Sequence, residues 1–230
     1  MVRILAVTTL FAAASVANAG ISASNFSLGW VEIDNSVSPA TGTSPSTDLQ
    51  SPFDPSMART YRLVLFGDAS VQGERIDAVN FGGVGGSGIT GIVVAPEAGT
   101  IYNHPSGGNV RSTALEGFLP AVFFDTYAMF GDTAPAGISF ANTPNFTSSP
   151  ITGIWFGVPG VGTIMGAEGV ALIQITLVGG DGVSMGGNGS NMQVSGMNFP
   201  PITLDVPAVP TPGAVALLGL AGLATARRRR

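Results

Sequence analysis

Cysteine and lysine are both missing from these 230 residues, histidine occurs once, and charged side chains make up only 10%. Without cysteine there is no disulfide framework, no thiolate nucleophile and no Cys-based zinc or iron-sulfur site. A single histidine would leave zinc needing carboxylates for nearly every ligand, a donor set better suited to calcium. The lack of lysine leaves arginine as the basic side chain, and five of the nine arginines stand near the ends, at Arg3 and Arg227 to Arg230. Between residues 20 and 205, Arg59, Arg62, Arg75 and Arg111 face all fourteen acids, a balance of −10. Such a surface repels phosphate backbones and argues against nucleic-acid binding.

What the chain does have is glycine, proline and apolar residues: 33 Gly, 16 Pro and 45% apolar. Glycine and proline interrupt helices, and with apolar segments between them they point to short strands joined by turns. Alternation marks strands with one buried face. Phe26, Leu28 and Trp30 share a face, as do Tyr61, Leu63 and Leu65. Ile173, Ile175 and Leu177 alternate with Gln174 and Thr176, and Ile202 and Leu204 with Thr203 and Asp205. Further apolar stretches at 76–81, 89–94, 121–129, 137–141 and 153–157 bring the expected total to about nine or ten. A capping-box match at Thr113 to Glu116 runs into Gly117 and Pro120, so it predicts no sustained helix. The expectation is an all-β domain, a β-sandwich of jelly-roll or Ig-like type over residues 20–205. Ser36 to Pro55 reads as a loop, and Val206 to Pro212 as an extended linker that lifts the domain away from a membrane.

The two ends carry a different kind of information. Arg3 precedes an apolar run from Ile4 to Ala14, and Ala17-Asn18-Ala19 stands before Gly20. This is the positive, apolar, small-x-small order of a secretory signal over residues 1–19, cut by signal peptidase between Ala19 and Gly20. At the other end, over residues 206–230, Val209-Pro210-Thr211-Pro212 is followed by an apolar run from Ala214 to Leu223 and then by Arg227, Arg228, Arg229 and Arg230. As a helix, residues 213–226 would reach about 21 Å, short of the roughly 30 Å hydrocarbon core, which suits a temporary anchor better than a permanent one. The arginines would stay on the cytoplasmic side and hold the domain outside.

This tail resembles the PEP-CTERM family of exported proteins, which end in a Pro-Glu-Pro-like motif, a hydrophobic helix and an Arg cluster. Pro210 and Pro212 match the two prolines, and Thr211 stands where the family has Glu. The resemblance implies processing by an exosortase-like membrane enzyme, leaving the domain secreted or attached to the envelope. It covers roughly the last tenth of the chain and implies nothing about the middle.

Motifs that could carry chemistry are sparse. Gly83 to Gly88 matches G-x-G-x-x-G, but the run Ile89 to Val94 after it reads as a strand, where a dinucleotide site needs a helix N-terminus. Gly182 to Gly186 matches G-x-S-x-G with no histidine after it, whereas a hydrolase triad places one there. His104 reads as a surface-loop residue. Asp181, Asn188 and Asn191, with Ser184 and Ser190 between, form a calcium candidate too poor in acids for an EF-hand. Trp30, Trp155, Tyr102 and Tyr127 are candidates for stacking on sugar, although Trp30 and Trp155 sit inside strand-like runs and core packing is the expected role for both.

The combined expectation is a non-enzymatic exported protein of the cell surface or extracellular matrix, part of a biofilm, with a structural or adhesive role. Its partners would be signal peptidase, an exosortase-like enzyme and extracellular polysaccharide. A carbohydrate-binding module is the alternative, and an extracellular glycoside hydrolase, needing a suitably spaced carboxylate pair, a third.

Overall fold

The computed structural model describes residues 20–84, 87–131, 134–158 and 162–211. The expected signal with Ala17 and Ala19, the residues from Pro212 onward with the apolar run and Arg227 to Arg230, and Gly85 and Gly86 of the glycine motif lie outside the described residues.

Among the described residues eleven strands form two antiparallel sheets: β1 (Phe26–Ile33), β2 (Ala58–Gly67), β3 (Arg75–Asn80), β4 (Thr100–Ile101), β5 (Tyr127–Ala128), β6 (Ile138–Phe140), β7 (Ile154–Gly157), β8 (Thr163–Ile164), β9 (Val170–Val178), β10 (Asn191–Gly196) and β11 (Phe199–Asp205). The first sheet runs β1-β2-β9-β4, with β5 also pairing β9. The second runs β11-β10-β3-β7-β6, with β8 also on β3. Helix among the described residues is limited to short pieces, among them α1 (Thr113–Glu116).

One apolar cluster is shared by both sheets. Tyr61, Leu63 and Leu65 of β2 and Ile173, Ile175 and Leu177 of β9 meet Val79, Trp155, Val194, Ile202 and Leu204 of the second sheet. Period-2 alternation sends these side chains inward on both sides, as the sequence predicts. Trp155 is fully buried, lies flat on Phe81 with ring centres 4.9 Å apart, and donates its indole N–H to Met129 O at 2.9 Å. Met129 N in turn bonds Leu172 O, so this indole links the second sheet to the first. Gly91 sits at φ +83°, where a Cβ would collide with the Ile151 and Phe81 carbonyls. Only glycine lets these backbones meet here.

Three expectations are corrected. Residues 121–124 are not a strand: Pro120–Phe124 forms a 3-10 turn, because proline starts a turn and removes a ladder donor, and only Tyr127–Ala128 pairs in the sheet. The run at 89–94 makes isolated bridges at Gly91, Ile92 and Val94 instead of a continuous ladder. The third concerns the linker from Val206. Val206 N donates to Ser190 O and Val209 N to Met185 O, both at 2.9 Å, and Trp30 Nε1 donates to Pro207 O at 2.8 Å. Val206 and Val209 are buried in the shared core, so the first part of that linker is docked. Val206 continues the period-two inward pattern of β11, and Val209, three residues on, is buried beyond the exposed Ala208, so the segment is held against the core instead of spanning free of it.

Candidate functional site

The outer face of the first sheet should be wet if its polar positions mark solvent, yet it is covered. Thr60 and Arg62 of β2 lie opposite Thr176 and Gln174 of β9. Thr60, Thr176 and Gln174 are buried beneath residues 102–126 and the loop 44–57. A second, small apolar cluster of Phe53, Ala58, Ala121, Phe123 and Phe124 seals this layer. The buried polar groups are paired: Thr60 and Thr176 share a hydroxyl bond of 2.7 Å, and Gln174 Nε2 donates to Phe123 O at 2.7 Å. Arg62 Nε donates to Gln174 Oε1 at 3.0 Å.

Two aspartates hold the covering loops down. Asp48 Oδ1 accepts from the amides of Gln50 and Ser51, Oδ2 accepts from Ala121 N–H at 3.0 Å, and His104 Nε2 lies 3.3 Å from Oδ1. His104 Nδ1 accepts from Ser106 N–H, which leaves the ring hydrogen on Nε2, pointing at Asp48. Neither the His104 nor the Asp48 side chain has exposed surface, so the expected surface histidine is a buried clasp. Asp125 accepts from His104 N–H at 2.8 Å, Thr126 N–H at 2.9 Å and Gly108 N–H at 3.1 Å. A Cβ on Gly107 would collide with its carboxylate.

The two carboxyls respond differently to this setting. At Asp48 burial raises the pKa, but the Gln50, Ser51 and Ala121 amides and His104 outweigh it and hold the group below its ordinary value. At Asp125 burial wins over its amide donors, and the pKa is pushed up to about 6 from 3.8. A carboxyl raised by folding favours its protonated form. It therefore destabilises the fold above about pH 6, by roughly 3 kcal/mol, and that cost is relieved as pH falls toward 4. Asp125→Asn keeps a carbonyl acceptor and cannot titrate. Urea unfolding of the pair should show wild type gaining roughly 2–3 kcal/mol on Asp125→Asn between pH 7 and pH 4; parallel profiles would contradict the assignment.

Beside this layer lies a cavity of about 230 Å³ lined by Arg62, Arg111 and Tyr127, with Phe130, Pro135 and Ile138 among its apolar walls. Arg111 pairs with the carboxylate of Glu116 through Nε at 2.6 Å and Nη2 at 2.7 Å. Both guanidiniums sit over the Phe123 ring, Arg62 at 5.9 Å and Arg111 at 5.2 Å. Arg62 has no carboxylate partner among the described residues, whereas Arg59, Arg75 and Arg111 each have one. Tyr127 is 1% exposed, and its buried hydroxyl has no acceptor for its hydrogen; the Arg62 guanidinium beside it only donates. Burial holds its pKa above the usual phenol value. A larger cavity of about 620 Å³ is lined by Glu32, Asp34 and Arg59 among others, and Glu32 is tied to Arg59 at 2.6 Å.

The residues singled out in the sequence are dispersed. Asp181 accepts from the Val183 and Ser184 amides and the Ser184 hydroxyl, closing a turn. Asn191 Oδ1 accepts from Thr90 N–H at 2.7 Å, Ser190 Oγ accepts from Val93 N–H, and Asn188 takes φ 45° in a turn. The calcium candidates thus serve different neighbours, and no group of three or more acidic or histidine ligands occurs among the described residues. Ser184 of the G-x-S-x-G match is part of the Asp181 turn, and the glycine motif leads directly into the bridged run at 89–94 and not into a helix. Trp30 and Trp155 are buried, as their strand-like runs predict; of the other stacking candidates Tyr127 is buried, and Tyr102 is half-buried, edge-on to Phe53, with its hydroxyl on Ser51 O. Aromatic rings in strand-like runs are claimed by packing before they can face a ligand. At the chain exit Gly20, Pro210 and Thr211 are exposed and Val209 is buried.

Arg62, Arg111 and the two buried aspartates do not stand out in the sequence. One signal was available: Arg62 is a cation inside an apolar strand of a domain very short of cations. No helix among the described residues is long and apolar enough to cross a membrane. No family model, no curated protein and no solved structure matches this chain, so the side chains themselves carry the functional reading.

Proposed function

We propose that this is an exported, non-enzymatic envelope or extracellular-matrix protein with a structural or adhesive role, processed at its C-terminal sorting tail. Its domain belongs to the β-sandwich class of jelly-roll or Ig-like type, reading two antiparallel sheets around one core as the two layers. The observation that carries the proposal is the exit of the chain. Val209, the last core residue among those described, is followed at once by exposed Pro210 and Thr211, the first part of the sorting motif. A cut just after them would leave every described core residue in place, while a cut before Val206 would strip two buried valines from the core. The non-enzymatic part draws on the Asp48–His104 pair, whose fully buried side chains are engaged with loop amides.

The test is the intact mass and location of the full chain made in a cell that contains an exosortase. The expected product lies outside the cytoplasm and lacks residues 1–19 and everything after about Pro212. Cytoplasmic protein with residues 1–19 attached, or exported protein that keeps its four terminal arginines, would overturn the reading.

A further inference from the structure

We infer that the cavity between Arg62, Arg111 and Tyr127 binds a small carboxylate monoanion. The first argument is a count of donors and acceptors. Arg62 and Arg111 only donate, and the Tyr127 hydroxyl hydrogen has no acceptor. Gln174, the nearest polar neighbour on β9, spends its oxygen on Arg62 Nε and its amide group on the Phe123 and Asp125 carbonyls. Among the lining side chains only the hydroxyl of Thr113, an exposed residue, can accept, and it has no bond to Tyr127; a buried hydroxyl left without an acceptor is destabilising.

The second argument is charge. Glu116 neutralises Arg111 through a two-bond pair, while Arg62 has no carboxylate partner among the described residues, so these three groups leave a balance of +1. One negative charge cancels it. Arg62 uses Nε on Gln174, its guanidinium also stands beside the Tyr127 hydroxyl, and no carboxylate among the described residues occupies its terminal N–H groups, whose fork matches the two oxygens of a carboxylate. The acidic surface elsewhere repels polyanions, but at physiological salt its field decays within roughly 8 Å, so local charge decides.

The third argument is size. About 230 Å³ falls below the roughly 300 Å³ at which pockets for drug-sized ligands begin. The walls of Phe130, Pro135 and Ile138 give the body of a short organic acid an apolar contact. A free acid and the terminal residue of an acidic glycan present the same chemistry. This inference concerns the domain alone and does not depend on how the tail is processed.

The test is titration of the full chain with glucuronate, acetate, glucose and sulfate, followed by calorimetry and saturation-transfer NMR. Glucuronate is expected to bind saturably, acetate more weakly, and glucose, which lacks the carboxylate, not at all. Arg62→Gln should weaken glucuronate roughly tenfold or more, and Tyr127→Phe roughly three- to tenfold. Tyr127→Phe should leave the melting temperature of the free protein unchanged or raised, which separates lost recognition from lost folding. Oligouronate binding as tightly as the monomer would assign the site to a glycan end, and its exclusion to a free acid. The inference fails if neither carboxylate saturates, if sulfate binds more tightly than both, or if both variants bind glucuronate like wild type.

Discussion

Asp48→Ala is expected to cost about 3–5 kcal/mol, the range seen when one partner of a buried charged network is removed. The carboxylate it deletes serves the amides of Gln50, Ser51 and Ala121 and the ring of His104. Each buried donor left without an acceptor costs about 1–3 kcal/mol unless the loops open to water. Opening is the cheaper outcome, so the damage should be regional. Hydrogen exchange should speed up over residues 44–57 and 102–126, while β3, β7 and β10 keep their protection. Uniform loss of protection across both sheets would show that the covering layer and the sheets are one cooperative unit. The same bonds act in acid. Asp48 is held below its ordinary value, so its contribution is complete above about pH 4 and fades as pH falls further. Asp125 moves in the opposite sense, gaining as pH falls from about 6.

Trp155→Ala should be comparably severe, about 3–5 kcal/mol, the usual cost of emptying a fully buried aromatic site. The ring is stacked on Phe81, meets Phe146 edge-on at 5.9 Å and lies 6.3 Å from Phe140, so three aromatic residues lose contact together. The indole N–H is also the bond from the second sheet to Met129 O beside the first. Set against a typical domain stability of 5–15 kcal/mol, this single change would leave much of the chain unfolded at room temperature if the domain lies at the lower end. Chemical unfolding monitored through Trp30, the remaining tryptophan, would measure it. Trp155→Phe fills most of the volume and loses only the indole bond, so it should cost clearly less. Equal losses for the two variants would place the energy in the hydrogen bond and not in the packing.

How far the sequence reached is visible in particular residues. Leu63 and Leu65, Ile173 and Ile175, and Ile202 and Leu204 were legible as inward-facing because a strand alternates its side chains with period two whatever lies around it. The same rule failed on the opposite face. Gln174 and Thr176 read as solvent-facing, yet both are fully buried, since alternation separates two faces without saying what covers the second. Asp48, His104 and Asp125 were equally opaque. Their bonds join positions 73, 56 and 21 residues apart, and a polar residue in a Ser- and Pro-rich loop looks the same whether it faces water or an amide across the fold.

The sequence by itself determined the β class of the domain, the shortage of catalytic residue types and its acidic balance, because backbone preferences and charge are local or additive. It also determined the order of apolar and basic segments at the two ends, from which export and sorting are proposed. Only the tertiary structure decided that Val206 and Val209 belong to the core, that Tyr127 is packed inside, and that Arg62 lines a cavity beside a tyrosine hydroxyl whose hydrogen has no acceptor. Those outcomes depend on which distant groups find each other once the loops close over the first sheet. Burial then decides which polar groups are paired and which are left waiting for a ligand.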